Sequence, residues 1–260
     1  MTRIGTLFQE KQNDILNVYF TAGYPQLNST WPILESLQDH GADLIEIGMP
    51  YSDPLADGTV IQQSSSVALA NGMTIATLFE QLAEAKSKIK VPLVLMGYMN
   101  PVLQYGFENF CQKAAEVGVD GLILPDLPLY EFESHYGEII RKYGLDFIFL
   151  VTPETSESRV RKLDELSTGF LYAVSSSSTT GNEKDFNAVK TYLERLKSYA
   201  LKNPILVGFG IKDKASFDAV KPHAHGAIIG SAFIQALSKP NESVKDITQA
   251  FLNNVRGRAI

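Results

Sequence analysis

The chain has 260 residues, with 23 Lys and Arg against 29 Asp and Glu and a net charge of −6. Hydrophobic residues make up 45% and charged residues 20%, values of an ordinary globular chain that exclude wholesale disorder and a fibrous repeat. The acidic balance excludes a general nucleic-acid or anionic-membrane binder, since either needs a basic surface.

The opening stretch, MTRIGTLFQEKQND, has no apolar h-region and so does not read as a signal peptide. Instead Ile4, Leu7, Phe8 and Lys11 form an amphipathic lead-in to the first apolar run. Eight such runs then follow: Ile15–Thr21, Ala42–Gly48, Pro92–Tyr98, Val119–Leu124, Leu145–Val151, Gly169–Val174, Pro204–Gly208 and Ala227–Gly230. Each is short and bounded by Gly, Pro or Asp, as parallel strands buried on both faces are. The longest apolar stretch, Val91 to Met99, falls far short of the roughly 20 residues that span a bilayer.

Between the runs, apolar residues recur at helical spacing. Ile75, Leu78, Phe79 and Leu82 form one stripe, Tyr136, Ile139, Ile140 and Tyr143 a second, and Phe186, Val189, Leu193 and Leu196 a third. Val244, Ile247 and Phe251 follow the last run. A stripe of this kind covers a sheet on one side and faces water on the other. Ser29 or Thr30 can cap a helix that has Pro32 in its first turn and Gly41 after its end. Eight strand–helix units and no early G-x-G-x-x-G favour a closed barrel over an open doubly wound sheet. The expectation is an α/β chain, a single (β/α)8 barrel over residues 1–260 with the lead-in helix capping its bottom. The single Cys111 lies in an apolar helical pattern and reads as a core side chain in a reducing, cytoplasmic setting.

In this fold the active site lies at the C-terminal ends of the strands, so polar residues there carry the information. Glu46 interrupts the apolar run Leu44-Ile45-Glu46-Ile47-Gly48 and alternates with Ile45 and Ile47. A carboxylate so placed is either a salt bridge to an outer helix or an inward group whose raised pKa suits general acid–base work. The following loop, residues 50–58, carries Asp57 between stiffening prolines and a glycine. Asp57-Gly58 is either an ordinary turn or a second carboxylate over the barrel mouth. Gly208-Phe209-Gly210 and Gly230-Ser231 end the seventh and eighth runs, where barrels often bind phosphate through backbone N–H groups; Thr180-Gly181 can close over the same spot. Tyr19, Tyr98, Tyr172 and Phe209 converge on strand ends, either as core or as walls for a flat aromatic substrate. His40, His135, His223 and His225 have no metal-ligand spacing, so no metal is expected.

Glu46-Ile-Gly-Met-Pro-Tyr-Ser-Asp-Pro-Leu-Ala-Asp57-Gly58, followed by Ile61-Gln62, closely resembles the signature of the tryptophan synthase alpha subunit family. Phe20 to Pro25, Met96 to Pro101, Pro125 to Pro128, Gly208 to Ile211 and Gly230 to Ala232 extend the resemblance in order along the chain. The resemblance implies a lyase that splits indole-3-glycerol phosphate into indole and glyceraldehyde 3-phosphate. It implies Glu46 as general acid–base and Asp57 as the carboxylate at the indole nitrogen. Thr180 would meet Asp57 on closure, Gly181, Gly210, Gly230 and Ser231 would cradle phosphate, and Tyr19, Met96, Tyr98, Tyr172 and Phe209 would line the indole pocket. It also implies no cofactor in this chain and a partner beta subunit carrying pyridoxal phosphate, in an alpha2beta2 heterotetramer, with Asp53 and Asn100 on loops near the contact. Ser178 and Thr179 stand where the family commonly has Gly and Val, and Thr59 where it often has Pro. These departures bear on loop closure and on coupling to the partner, not on the carboxylates. A stand-alone lyase and a non-catalytic phosphate-ligand binding subunit are the alternatives.

Overall fold

The computed structural model describes residues 2–174, 183–208, 210–239 and 242–258. Its strands are β1 (Ile15–Thr21), β2 (Leu44–Gly48), β3 (Leu93–Met96), β4 (Gly121–Ile123), β5 (Asp146–Phe147), β6 (Leu150–Val151), β7 (Leu171–Val174), β8 (Ile205–Gly208) and β9 (Gly226–Ile229). All pair in parallel, in the order β5-β4-β3-β2-β1-β9-β8-β7-β6. The fifth apolar run thus forms two strands, one at each end of that order, and this is how the barrel closes. Ile148 N–H still donates to Leu122 O of β4 at 3.0 Å, whereas Phe149 O accepts from Tyr172 N–H of β7 at 3.0 Å. The run changes partner within one residue, so one eighth of a (β/α)8 barrel is counted as two strands.

Side-chain alternation divides the core in two. Ile15, Leu44, Val94, Ile123, Ile148, Phe170, Leu206 and Ile228 pack against one another inside the barrel. The alternate positions of the same strands, including Leu16, Val18, Ile45, Ile47, Leu95, Leu122 and Val207, pack outward against the helices. The lead-in forms helix α1 (Arg3–Glu10), capped by the Thr2 side chain on Gly5 N–H. Its Ile4 is fully buried in the interior cluster, with Phe8 against Phe170; burying one such side chain stabilises by about 1.5–3 kcal/mol. α1 therefore closes the N-terminal end of the barrel.

Carboxylates fix the strand entrances. Asp43 accepts Leu16 N–H at 2.8 Å and pairs with Lys11 and Arg256. Asp120 accepts Leu93 N–H at 2.8 Å and binds Arg3. Helix α2 (Thr30–Asp39) follows β1, and helix α3 (Thr59–Ala70) follows the loop after β2. Ser29 occupies the N-cap position of α2 without capping it: its Oγ accepts Gln26 N–H instead. Cys111 is fully buried, and burial pushes its thiol up to about 12, so it packs as a small core side chain.

Candidate active site

β2 carries Glu46 inward, level with Tyr19 of β1 and Val94 of β3. Only 1% of it is exposed, and among the described residues no cation pairs with it, so no salt bridge to an outer helix is found there. Asn17 Nδ2 donates to Oε2 at 2.9 Å, while Oε1 has no hydrogen-bond partner among the described residues. Burial pushes the Glu46 carboxyl up to about 8; the Asn17 amide pulls it down, and the nearby charge of Asp57 adds to the rise.

Asp57 sits half-buried in the loop between β2 and α3. Burial raises it to about 6, opposed by a hydrogen bond from Tyr98. The same Tyr98 hydroxyl accepts Ala56 N–H at 3.1 Å, so a residue just past β3 grips two consecutive residues of the loop. The loop also holds itself: Asp57 N–H donates to Pro54 O at 3.1 Å, and Gln62 Nε2 of α3 donates to Asp57 O at 2.8 Å. Asp57 thus ends a turn that begins at Pro54, and Gly58 stands at the N-cap of α3. From the other side, Asp126 in the loop after β4 accepts Met99 N–H at 3.0 Å and steadies the chain after Tyr98.

Two aromatic rings are admitted by glycines on neighbouring strands. A Cβ on Gly48 would fall 2.0 Å from the Tyr19 hydroxyl, and one on Gly208 would fall 2.6 Å from Cε2 of Tyr172. Only glycine lets these rings lie across the sheet. Burial and the charges of Asp57 and Glu46 hold both hydroxyls well above their ordinary value, so they stay neutral. The Tyr19 hydroxyl lies 3.5 Å from Thr21 Oγ1, itself 2.6 Å from Ser64 Oγ on α3. Met96 ends β3 half-buried, its carbonyl accepting Met49 N–H at 2.7 Å.

Gly230 joins β9 to the helix Ser231–Leu237, and a Cβ there would sit 3.6 Å from Tyr19; the eighth strand end therefore adjoins the Tyr19 wall. Gly210 has φ +37° with open space around it, a backbone that favours glycine for conformation rather than packing. Ser231 is exposed. Thr180, Gly181 and Phe209 lie outside the described residues, as do Ser178 and Thr179. Among the described residues no group of three His, Cys, Asp or Glu could hold a metal ion, and no helix is long and apolar enough to cross a membrane.

So Glu46, Asp57, Tyr19 and Tyr172 lie close enough to shift one another's charge, Tyr98 acts on Asp57 and Tyr19, and Gly230 leaves room beside Tyr19. Sequence reasoning missed Asn17 and the loop-holding role of Tyr98. Asn17 had a visible signal, since it breaks the apolar run Ile15–Thr21 on the inward face just as Glu46 breaks its own; Tyr98 had none.

Comparison with known proteins gives one consistent result. The profile of the tryptophan synthase alpha chain family matches residues 6–259. The alpha chain of Flavobacterium johnsoniae is 52% identical over 257 residues, covering 98% of this chain and 100% of its own. That of Bacteroides thetaiotaomicron is 49% identical over 248 residues, covering 95% and 97%. Among solved structures, the alpha subunit from Legionella pneumophila superposes with a TM-score of 0.90 at 32% identity, covering 99% of this chain and 98% of that one. The aminoacrylate-bound tryptophan synthase of M. tuberculosis gives 0.86 at 31%, covering 98% and 100%.

Proposed function

Because this chain belongs to the tryptophan synthase alpha chain family, we propose that Glu46 and Asp57 carry its reaction, the cleavage of indole-3-glycerol phosphate to indole and glyceraldehyde 3-phosphate. The observation that carries this reading is geometric: Glu46 is buried on the inward face of β2 with one oxygen on Asn17, and Asp57 follows in a loop held by Tyr98 and Gln62; burial pushes Glu46 up to about 8 and Asp57 up to about 6. At neutral pH the first is mostly a proton donor and the second mostly an anion.

That division fits the chemistry. Glu46 protonates indole C3, generating an iminium whose positive charge is centred on the ring nitrogen. The Asp57 carboxylate stabilises that charge. Glu46, now ionised, takes the proton of the side-chain hydroxyl next to the breaking bond. The O–H electrons become the new carbonyl, the C3–C bond breaks, and its electrons restore the aromatic ring. One proton enters and one leaves, so Glu46 ends as it began.

Tyr19, Met96, Tyr98, Tyr172 and Phe209 would hold the indole, while Gly181, Gly210, Gly230 and Ser231 would meet the phosphate, with Thr180 closing on Asp57. Support for a backbone phosphate site is that an acidic chain has two glycine-bearing strand ends there. Gly230→Asp is expected to raise KM for indole-3-glycerol phosphate by about 10-fold or more, through charge repulsion, with a smaller change in kcat. Gly230→Ala, whose Cβ finds only ordinary van der Waals distances, should leave KM nearly unchanged. Steady-state kinetics on both variants checks the site.

The alpha chain pairs with a beta subunit. Leu55, 95% exposed in the Asp57 loop, and Leu103, 47% exposed just after β3, are uncovered apolar side chains beside the mouth and support docking there with Asp53 and Asn100, in an alpha2beta2 assembly in the cytoplasm. Pyridoxal phosphate would belong to the beta subunit. The test is cleavage by the purified chain with and without a tryptophan synthase beta subunit. Weak cleavage that rises sharply with the partner supports the reading. Equal cleavage in both would favour a stand-alone lyase, and none in either would leave a phosphate-ligand binding protein.

A further inference from the structure

Asn17 is fully buried on the inward face of β1, level with Leu44 of β2 and Ile228 of β9 and one inward step below Tyr19. Leu44, Ile228 and Ile15 around it belong to the apolar interior of the barrel. An amide in such a layer is costly unless its hydrogen bonds are met, and its Oδ1 has no partner among the described residues. An aliphatic side chain would fill this position at lower cost. The polar contact that Asn17 does make is with Glu46: Nδ2 to Oε2 at 2.9 Å.

We infer that Asn17 is a positioning residue for the acid–base, clamping Oε2 so that Oε1 is the oxygen that exchanges protons with substrate. The inference rests on the proposed role of Glu46. With Oε2 accepting from the amide, the neutral acid carries its proton on Oε1; when that proton leaves, the same N–H stabilises the carboxylate charge. Without the amide, the carboxyl group turns freely and its ionised form loses its hydrogen bond. Among the described residues the titratable groups facing Glu46 are Asp57 from the loop, Tyr19 from β1 and Tyr172 from β7. Both tyrosines stay neutral, so among the described residues Asp57 is the charge that opposes Asn17 in setting Glu46. Because Asn17 lies below Tyr19, it affects the bound substrate only through Glu46.

The test uses the alpha–beta complex and the kcat–pH profile of wild type, Glu46→Gln, Asn17→Leu and Asn17→Asp. Asn17→Leu should lower kcat about 10-fold with KM within about 2-fold, and should move the Glu46 limb of the profile upward by about one pH unit. Asn17→Asp keeps the shape of the side chain but replaces the donor with a second carboxyl group, and should move that limb at least as far. If Asn17→Leu fails to fold, the isosteric Asp variant carries the test. Unchanged kcat and pH limb in the folded variants, or a change in KM alone, would overturn the inference. With wild type active and Glu46→Gln inactive, that result would leave the proposed function standing. An inactive wild-type complex would overturn both.

Discussion

Glu46→Gln is expected to lower kcat for indole-3-glycerol phosphate cleavage by about 10³-fold or more, with binding of glyceraldehyde phosphate analogues nearly unchanged. One general acid–base contributes about 10²–10⁴-fold, and here one group is assigned both proton transfers. Gln keeps the size of the side chain and can still meet Asn17 through its carbonyl oxygen, so the loss would report chemistry rather than packing. The same variant has a second signature. The folded-state value of about 8 lies above the ordinary 4.5, so the folded chain holds a proton that the unfolded chain has released. That contribution is fully present below about pH 4.5, and it is lost as pH rises through 8. Glu46→Gln lacks it, so the stability of the variant relative to wild type should increase across this window, by at most about 1.4 kcal/mol per pH unit. Urea unfolding at pH 5, 7 and 9 measures it. Retained cleavage by Glu46→Gln would remove the assignment.

Asp57→Asn should cost about 10²–10³-fold in kcat, the scale of losing one group aimed at developing charge. Asn is isosteric and can keep the contact with Tyr98, but it carries no negative charge to offset the ring-nitrogen cation. Because burial raises Asp57 to about 6, wild-type kcat should climb between pH 5 and 7 as the carboxylate forms. In Asp57→Asn that ascending limb should be missing. A variant that kept the limb would move it to some other group.

Much of this is legible in the sequence. The first run reads as β1 without a shift, and the seven others find their strands because a parallel barrel buries both faces of each strand. Six of these seven runs start one or two residues before their strands. Asp43 and Asp120 stand at strand entrances and accept N–H groups of the neighbouring strand, which no apolar pattern reveals. The split of Leu145–Val151 depends on which neighbour each residue bonds, a property of closure and not of the run. β9 begins at Gly226, one residue earlier than read, where a Cβ would lie 2.1 Å from Ile15 O.

The site divides the same way. Glu46 was visible because a charge interrupts an apolar strand. Asp57 was visible only as one of two readings, since Asp-Gly fits any turn; the family resemblance favoured the carboxylate. The Asn17–Glu46 and Tyr98–Ala56 bonds join residues 29 and 42 positions apart; the interrupted run marks Asn17 as unusual, but neither pairing is written in local sequence.

The glycines under Tyr19 and Tyr172 also constrain the history of the pocket. At position 48 a methyl group collides with the ring carbons as well as with the hydroxyl, at 2.5 Å from Cζ of Tyr19, so even Phe at position 19 would not admit alanine. A lineage, or an engineer, seeking a differently shaped pocket must shrink residue 19 first and fill position 48 second. The reverse order passes through a misfolded or distorted intermediate. The two positions change as a ratchet, and a substitution tolerated in one relative can be forbidden in another that differs only across the strand.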